Sequence, residues 1–206
     1  MDIFTLLAFV AFGAYQLKTR EQKQRVALLG ALLSQYQIEK LMENLTQGYL
    51  RALGEAEPVR QAQVWALLAT SEIALCEQLN RFVQECDKVE ESQARVSRFA
   101  LAFPYADKLF PAVTFDLRKA MRIHAQGISQ AVENSLDQSS KDKAFTVSAE
   151  LFLMQHTCHW FCRSKTVASA RLLARHHTAY AQVLAAVAPD TRRAYRALVE
   201  GLESRR

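Results

Sequence analysis

The chain of 206 residues holds only six Gly and four Pro. So few chain-breakers exclude a sandwich, barrel or propeller, each of which needs many tight turns. Four Cys at irregular spacing exclude a small disulfide-stapled domain. Also missing are a Gly-rich phosphate loop, Gly-x-Ser-x-Gly, His-Glu-x-x-His, the Cys-x-x-Cys-His of haem attachment and the Glu-x-x-His pair of di-iron bundles. Ser140-Lys141-Asp142-Lys143 has Ser-x-x-Lys spacing, but the Ser-Asp-Asn and Lys-Thr-Gly elements of that hydrolase chemistry are absent. These absences leave no catalytic residue, no cofactor and no small-molecule substrate to name, and no motif set identifies a family. The expectation is a non-enzymatic protein.

What is present is ample core material. Hydrophobic residues make up 50% and charged residues 23%, which excludes wholesale disorder. At roughly 150 residues per domain, the length suits one domain plus an appendage.

Ile3 to Tyr15 runs without a charged residue, followed by Gln16, Leu17 and the basic cluster Lys18, Arg20, Lys23 and Arg25. A secretory signal carries its positive charge before the apolar stretch, whereas here the early side-chain charge is Asp2. Positive charge after the stretch keeps that side in the cytoplasm and sends the N-terminus outward. Residues 1–17 are therefore read as a short single-pass transmembrane anchor, with Lys18, Arg20, Lys23 and Arg25 as topology determinants facing lipid. A bacterial inner membrane is the expected setting. As a helix the segment is roughly 25 Å long, short of the ~30 Å hydrocarbon core, a gap that snorkelling of Lys18 and local thinning can close. Two other readings stay open: a buried or oligomer-forming terminal helix, and a cleaved signal.

The formal net charge is +5, and it is unevenly placed. Residues 151–206 hold nine basic and three acidic groups, and no carboxylate lies between Glu150 and Asp190. Arg163, Arg171 and Arg175, at i, i+8 and i+12, form a basic interaction face on one expected helix. The run lacks interleaved aromatics or a zinc-finger spacing, which argues against nucleic acid.

Beyond residue 17 the periodicity predicts long helices. A juxtamembrane helix covers 18–53, and a bundle domain over 54–206 has helices at about 58–100, 112–136, 142–187 and 190–203. Leu68, Leu75, Phe82, Val89 and Val96 recur every seven residues, with a companion seam at Trp65, Glu72, Leu79, Cys86 and Gln93. That stripe implies packing along a neighbouring helix, as one face of an intramolecular bundle or coiled coil. Asp190 is read as the N-cap of the last helix. The fold class is all-α: a short N-terminal membrane-anchor helix continuing into a bundle of long antiparallel helices.

One patch invites metal chemistry. His156, Cys158, His159 and Cys162 offer imidazole and thiolate within seven residues. On a straight helix they fall at about 0°, 200°, 300° and 240°, so all four cannot face one ion. A closed site needs help from His124, Cys76 or Cys86. The competing reading is a core-forming helix with buried, reduced Cys. The sequence thus supports a membrane-anchored adaptor, tether or assembly factor that meets a protein partner or its own copies through helix faces. The alternative is a soluble helical oligomer that binds a metal or haem through the His/Cys patch.

Overall fold

The computed structural model describes residues 3–201. Within them the chain forms α1 (Ile3–Leu33), α2 (Ile38–Gly54), α3 (Pro58–Asp87), the one-turn α4 (Glu91–Ala94), β1 (Arg95–Ser97) and the short α5 (Ala106–Leu109). It continues through β2 (Thr114–Asp116), α6 (Leu117–Val132), α7 (Ser140–Cys162), α8 (Lys165–His176), α9 (Tyr180–Ala186) and α10 (Pro189–Glu200). The fold is all-α with one small sheet.

The helix expected to run unbroken from residue 18 to 53 is instead two. α1 stops at Leu33, and the turn at residues 34–37 is pinned where Gln37 N–H donates to Gln78 Oε1 at 2.6 Å. The turn lets Ile38, Met42, Leu45, Tyr49 and Ala52, spaced by fours and threes, bury one face of α2 against α3. Gly48 is needed at that crossing, because a Cβ there would overlap the Leu68 side chain. Pro58 at the first position and the Glu57 carboxylate, which accepts Val59 N–H at 3.1 Å, start α3.

Leu68, Leu75 and Phe82 of the heptad stripe are buried on α3, and Leu79 and Cys86 join them from the companion seam. The stripe outruns its helix. α3 ends at Asp87, not near residue 100, and Val96 lies on β1. β1 and β2 pair antiparallel, Val96 opposite Phe115, with both side chains buried. Three residues per strand are too few for alternation to announce itself in a sequence. The strand takes the start of the helix expected from residue 112, so α6 begins at Leu117, capped by Asp116 accepting Arg118 N–H at 2.8 Å.

α7 is the central element, touching α1, α2, α6, α8, α9 and β1. The single helix expected over 142–187 is three. It breaks at Arg163–Ser164, where the Ser164 hydroxyl accepts Val167 N–H, and again at His177, which adopts a left-handed φ of 51°. α10 starts with Pro189 and has Ala188 at its N-cap. Asp190 sits in the first turn, paired with Arg193 at 2.7 Å.

No helix among the described residues is long and apolar enough to cross a membrane. The single-pass span expected over residues 1–17 is therefore not shown. Lys18 and Arg20 end the apolar run, and Ile3–Leu17 gives a helix of only about 22 Å. Met1, Asp2 and residues 202–206 lie outside the described residues.

Candidate functional site

The first half of α1 touches little of the bundle. Its apolar side chains are exposed from Ile3 to Leu17, with Phe4 at 80% and Phe9 at 66% of full exposure. They point in all directions, so the helix has no polar side to present to water. Lys18 is half-buried, while Arg20 and Lys23 are exposed. Arg25 corrects the expectation of a fourth lipid-facing cation. Its guanidinium turns inward to Glu21 at 2.9 Å and Asp107 at 3.3 Å and donates to the Phe161 carbonyl at 3.3 Å.

The second half of α1 and the first half of α2 form one wall of a groove of about 850 Å³. α7 and α8 form the other. Val26, Leu33, Met42 and Met154 make its apolar lining, and Arg171 and Arg175 edge it from α8. The basic face expected on a straight helix is thus assembled across the break after α7. Arg163 donates to Gln22 Oε1 at 2.7 Å. Arg171 Nη1 lies 3.2 Å from His159 Nδ1, where burial and then the Arg171 charge push the imidazole pKa down, favouring the neutral ring. Neither Arg171 nor Arg175 pairs with a carboxylate among the described residues.

The four residues of the His/Cys patch diverge. Only His159, Cys158 and Cys162 border the groove. His156 is buried, stacked on Tyr180 at 4.4 Å between ring centroids, with Nε2 3.0 Å from Ser169 Oγ. Burial, helped by Lys165, pushes its pKa down to about 3. The Cys158 and Cys162 thiols are pushed up by burial, Cys162 to about 11, so both stay protonated. All four Cys are free thiols. Among the described residues no group of three or more His, Cys, Asp or Glu side chains could hold a metal ion. The helix angles decide this, and neither His124, Cys76 nor Cys86 closes a site.

His124 belongs to a buried polar network that the sequence did not disclose. Its Nε2 lies 2.9 Å from Thr157 Oγ1, which is 2.9 Å from Tyr195 Oη and donates to the Leu153 carbonyl at 3.0 Å. With its one proton spent on Leu153, the Thr157 hydroxyl accepts from both His124 and Tyr195. Burial drives the His124 pKa down to about 3. Next to this network Glu150 is fully buried, and its Oε1 accepts Ala188 N–H at 3.0 Å, at the start of α10. Burial pushes its pKa up to about 7. Gly127 on α6 leaves room for this carboxyl: a Cβ there would lie 2.7 Å from Glu150 Oε2 and against the Thr191 hydroxyl. Gly127→Ala is expected to cost roughly 1–3 kcal/mol by overpacking. Urea unfolding checks it, and an unchanged midpoint would contradict the packing. The available signals were Glu150 beside the apolar Leu151-Phe152-Leu153-Met154 and His124 at helical spacing with Leu117, Met121 and Ile128.

The Ser-x-x-Lys lysine is also committed to the fold, with Lys143 Nζ 2.6 Å from Glu72 Oε2. Glu72 in turn accepts from Tyr49 Oη at 2.6 Å. No protein-family model, curated protein or solved structure matches the chain.

Proposed function

We propose that this chain is a non-enzymatic adaptor, tether or assembly factor. In this reading it is held at a membrane by residues 3–17, with the bundle on the cytoplasmic side. One observation carries the reading: a helix apolar on every side, exposed from Ile3 to Leu17 and followed at once by Lys18, Arg20 and Lys23. Such a surface in water is costly, at about 25 cal/mol per Å², and a bilayer relieves the cost. The outward-facing cations favour an anionic leaflet by on the order of 1 kcal/mol each. The helix is short, so Lys18 snorkels and the bilayer thins around it.

Partner binding is assigned to the groove between α1–α2 and α7–α8. Its apolar floor suits an amphipathic helix, and Arg171 and Arg175, without carboxylate partners among the described residues, select acidic side chains on that helix. Photo-cross-linking in intact cells tests both halves. A photoreactive amino acid at Phe9 is expected to label lipid. One at Val26 is expected to give adducts above monomer mass that vanish in the double variant Arg171→Glu/Arg175→Glu. Monomer alone from both positions would contradict the reading.

A further inference from the structure

The segment between the two strands carries large apolar side chains that the core does not use. Leu101, Phe103, Leu109 and Phe110 are each at least half exposed, at 61%, 53%, 67% and 50%. They are not loose. Phe103 and Phe110 both set their rings edge-on to Phe99, with centroids 5.8 and 5.5 Å apart, and the resulting aromatic knob faces water.

The placement of this knob is specific. Tyr105 N–H donates to Glu21 Oε2 at 2.7 Å, and Asp107 accepts the Arg25 ion pair at 3.3 Å. A small cleft has Leu101 and Phe103 on one side and Lys18 and Gln22 on the other. The loop is therefore fastened to α1 along its first polar turns, immediately after the exposed apolar half. Charge points the same way. The two carboxylates at this junction, Glu21 and Asp107, are both held by Arg25, whereas Arg20, Lys23 and Lys108 are exposed.

We propose that residues 99–111 form a second membrane contact, with Leu101, Phe103, Leu109 and Phe110 dipping into the interface beside the inserted helix. This rests on the reading of residues 3–17 as membrane-inserted. If the helix enters as far as Leu17, the turn at Lys18–Gln22 lies at the headgroup level, and the loop clamped to it lies there too. Two contacts also answer the shortness of the helix, because one modest apolar element binds reversibly and stable anchoring takes a second. The loop fixes the tilt of the bundle, and with it the direction in which the α1–α2/α7–α8 groove opens.

The test is quenching of an added tryptophan by brominated acyl chains in vesicles of mixed phosphatidylcholine and phosphatidylglycerol. Three variants of the full chain are compared with the unsubstituted protein: Phe4→Trp in the helix, Phe103→Trp in the loop, and Leu50→Trp as an exposed site on α2. Each keeps a large apolar side chain at an exposed position, and circular dichroism checks that each folds. The expected result is several-fold stronger quenching at positions 4 and 103 than at position 50. Quenching at 4 with position 103 behaving like position 50 would overturn the second contact and leave the anchor standing. Quenching at 103 but not at 4 would keep the loop contact and remove the anchor. Quenching at neither position would overturn both.

Discussion

Lys143→Met is expected to destabilise the bundle by about 3 kcal/mol, at the lower end of what unpairing a buried ion pair costs. The reason is Glu72, which sits on the seam between α2 and α3 with its side chain 6% exposed and depends on Lys143 Nζ and Tyr49 Oη at 2.6 Å each. Lys143 itself is 22% exposed, so water enters when the ammonium is removed and the loss stays near the lower limit. For a domain of this size that is a fall in melting temperature of roughly 10 °C. Lys141→Met, at an exposed position one residue into the same helix, should change stability by less than about half a kcal/mol. The triple change Tyr49→Phe/Glu72→Leu/Lys143→Met removes donor and acceptor together and should recover most of the loss. Equal urea midpoints for Lys143→Met and Lys141→Met would show that Glu72 needs no cation.

Glu150 supplies the second large effect, which depends on pH. Its folded-state pKa of about 7 lies above the ordinary 4.5 because burial disfavours the carboxylate. A raised carboxyl pKa means that the fold prefers the protonated group. The contribution is fully present below about pH 4.5 and is lost as pH rises through about 7. Glu150→Gln keeps an acceptor for Ala188 N–H and offers a donor toward Thr191 with no charge to bury. At pH 8 it should therefore stabilise the protein by roughly 2–3 kcal/mol, while at pH 4.5 the two proteins should match. His124 and His156 act in the opposite sense. Their pKa values, near 3, lie below the usual 6.5, so their contribution is present above about pH 6.5 and fades as pH falls toward 3. Denaturation between pH 4 and 8 should give a dome whose alkaline shoulder vanishes in Glu150→Gln. An equal gain at both pH values would contradict the assignment.

The helical class was legible because apolar residues recur at threes and fours and breakers are scarce. The buried faces of α2, α3 and α6 follow that spacing residue by residue. The breaks were harder to read. Nothing local in Ser34-Gln35-Tyr36-Gln37 forces a stop; the turn exists because the α2 face must reach α3, and a side chain 41 residues away in sequence pins it. Likewise Val96 continues a perfect seven-residue spacing while lying on a strand, since pairing with Phe115 and packing near Trp160 outweigh a periodicity with no helix left to serve. The apolar half of α1 and its outward cations were visible as a run and a cluster. Arg25 looked like the rest of that cluster, but Glu21 pairs with it one turn earlier on α1 and the folded loop brings Asp107 to its other side. The same folding sets Arg171 and Arg175 on the edge of the groove that α1 and α2 face and scatters the His/Cys patch, because four residues on one helix point along four directions.

The most direct measurement is cell fractionation with an alkaline carbonate wash, comparing the full chain with a form lacking residues 1–17. Among the described residues the truncation removes side chains that touch little of the bundle, so the helices from Lys18 onward should keep their fold. The full chain is expected to stay in the membrane pellet and the truncated form to move to the supernatant. A full chain washed into the supernatant with the truncated form would contradict membrane anchoring, and the exposed helix would then be a surface for another copy or another protein.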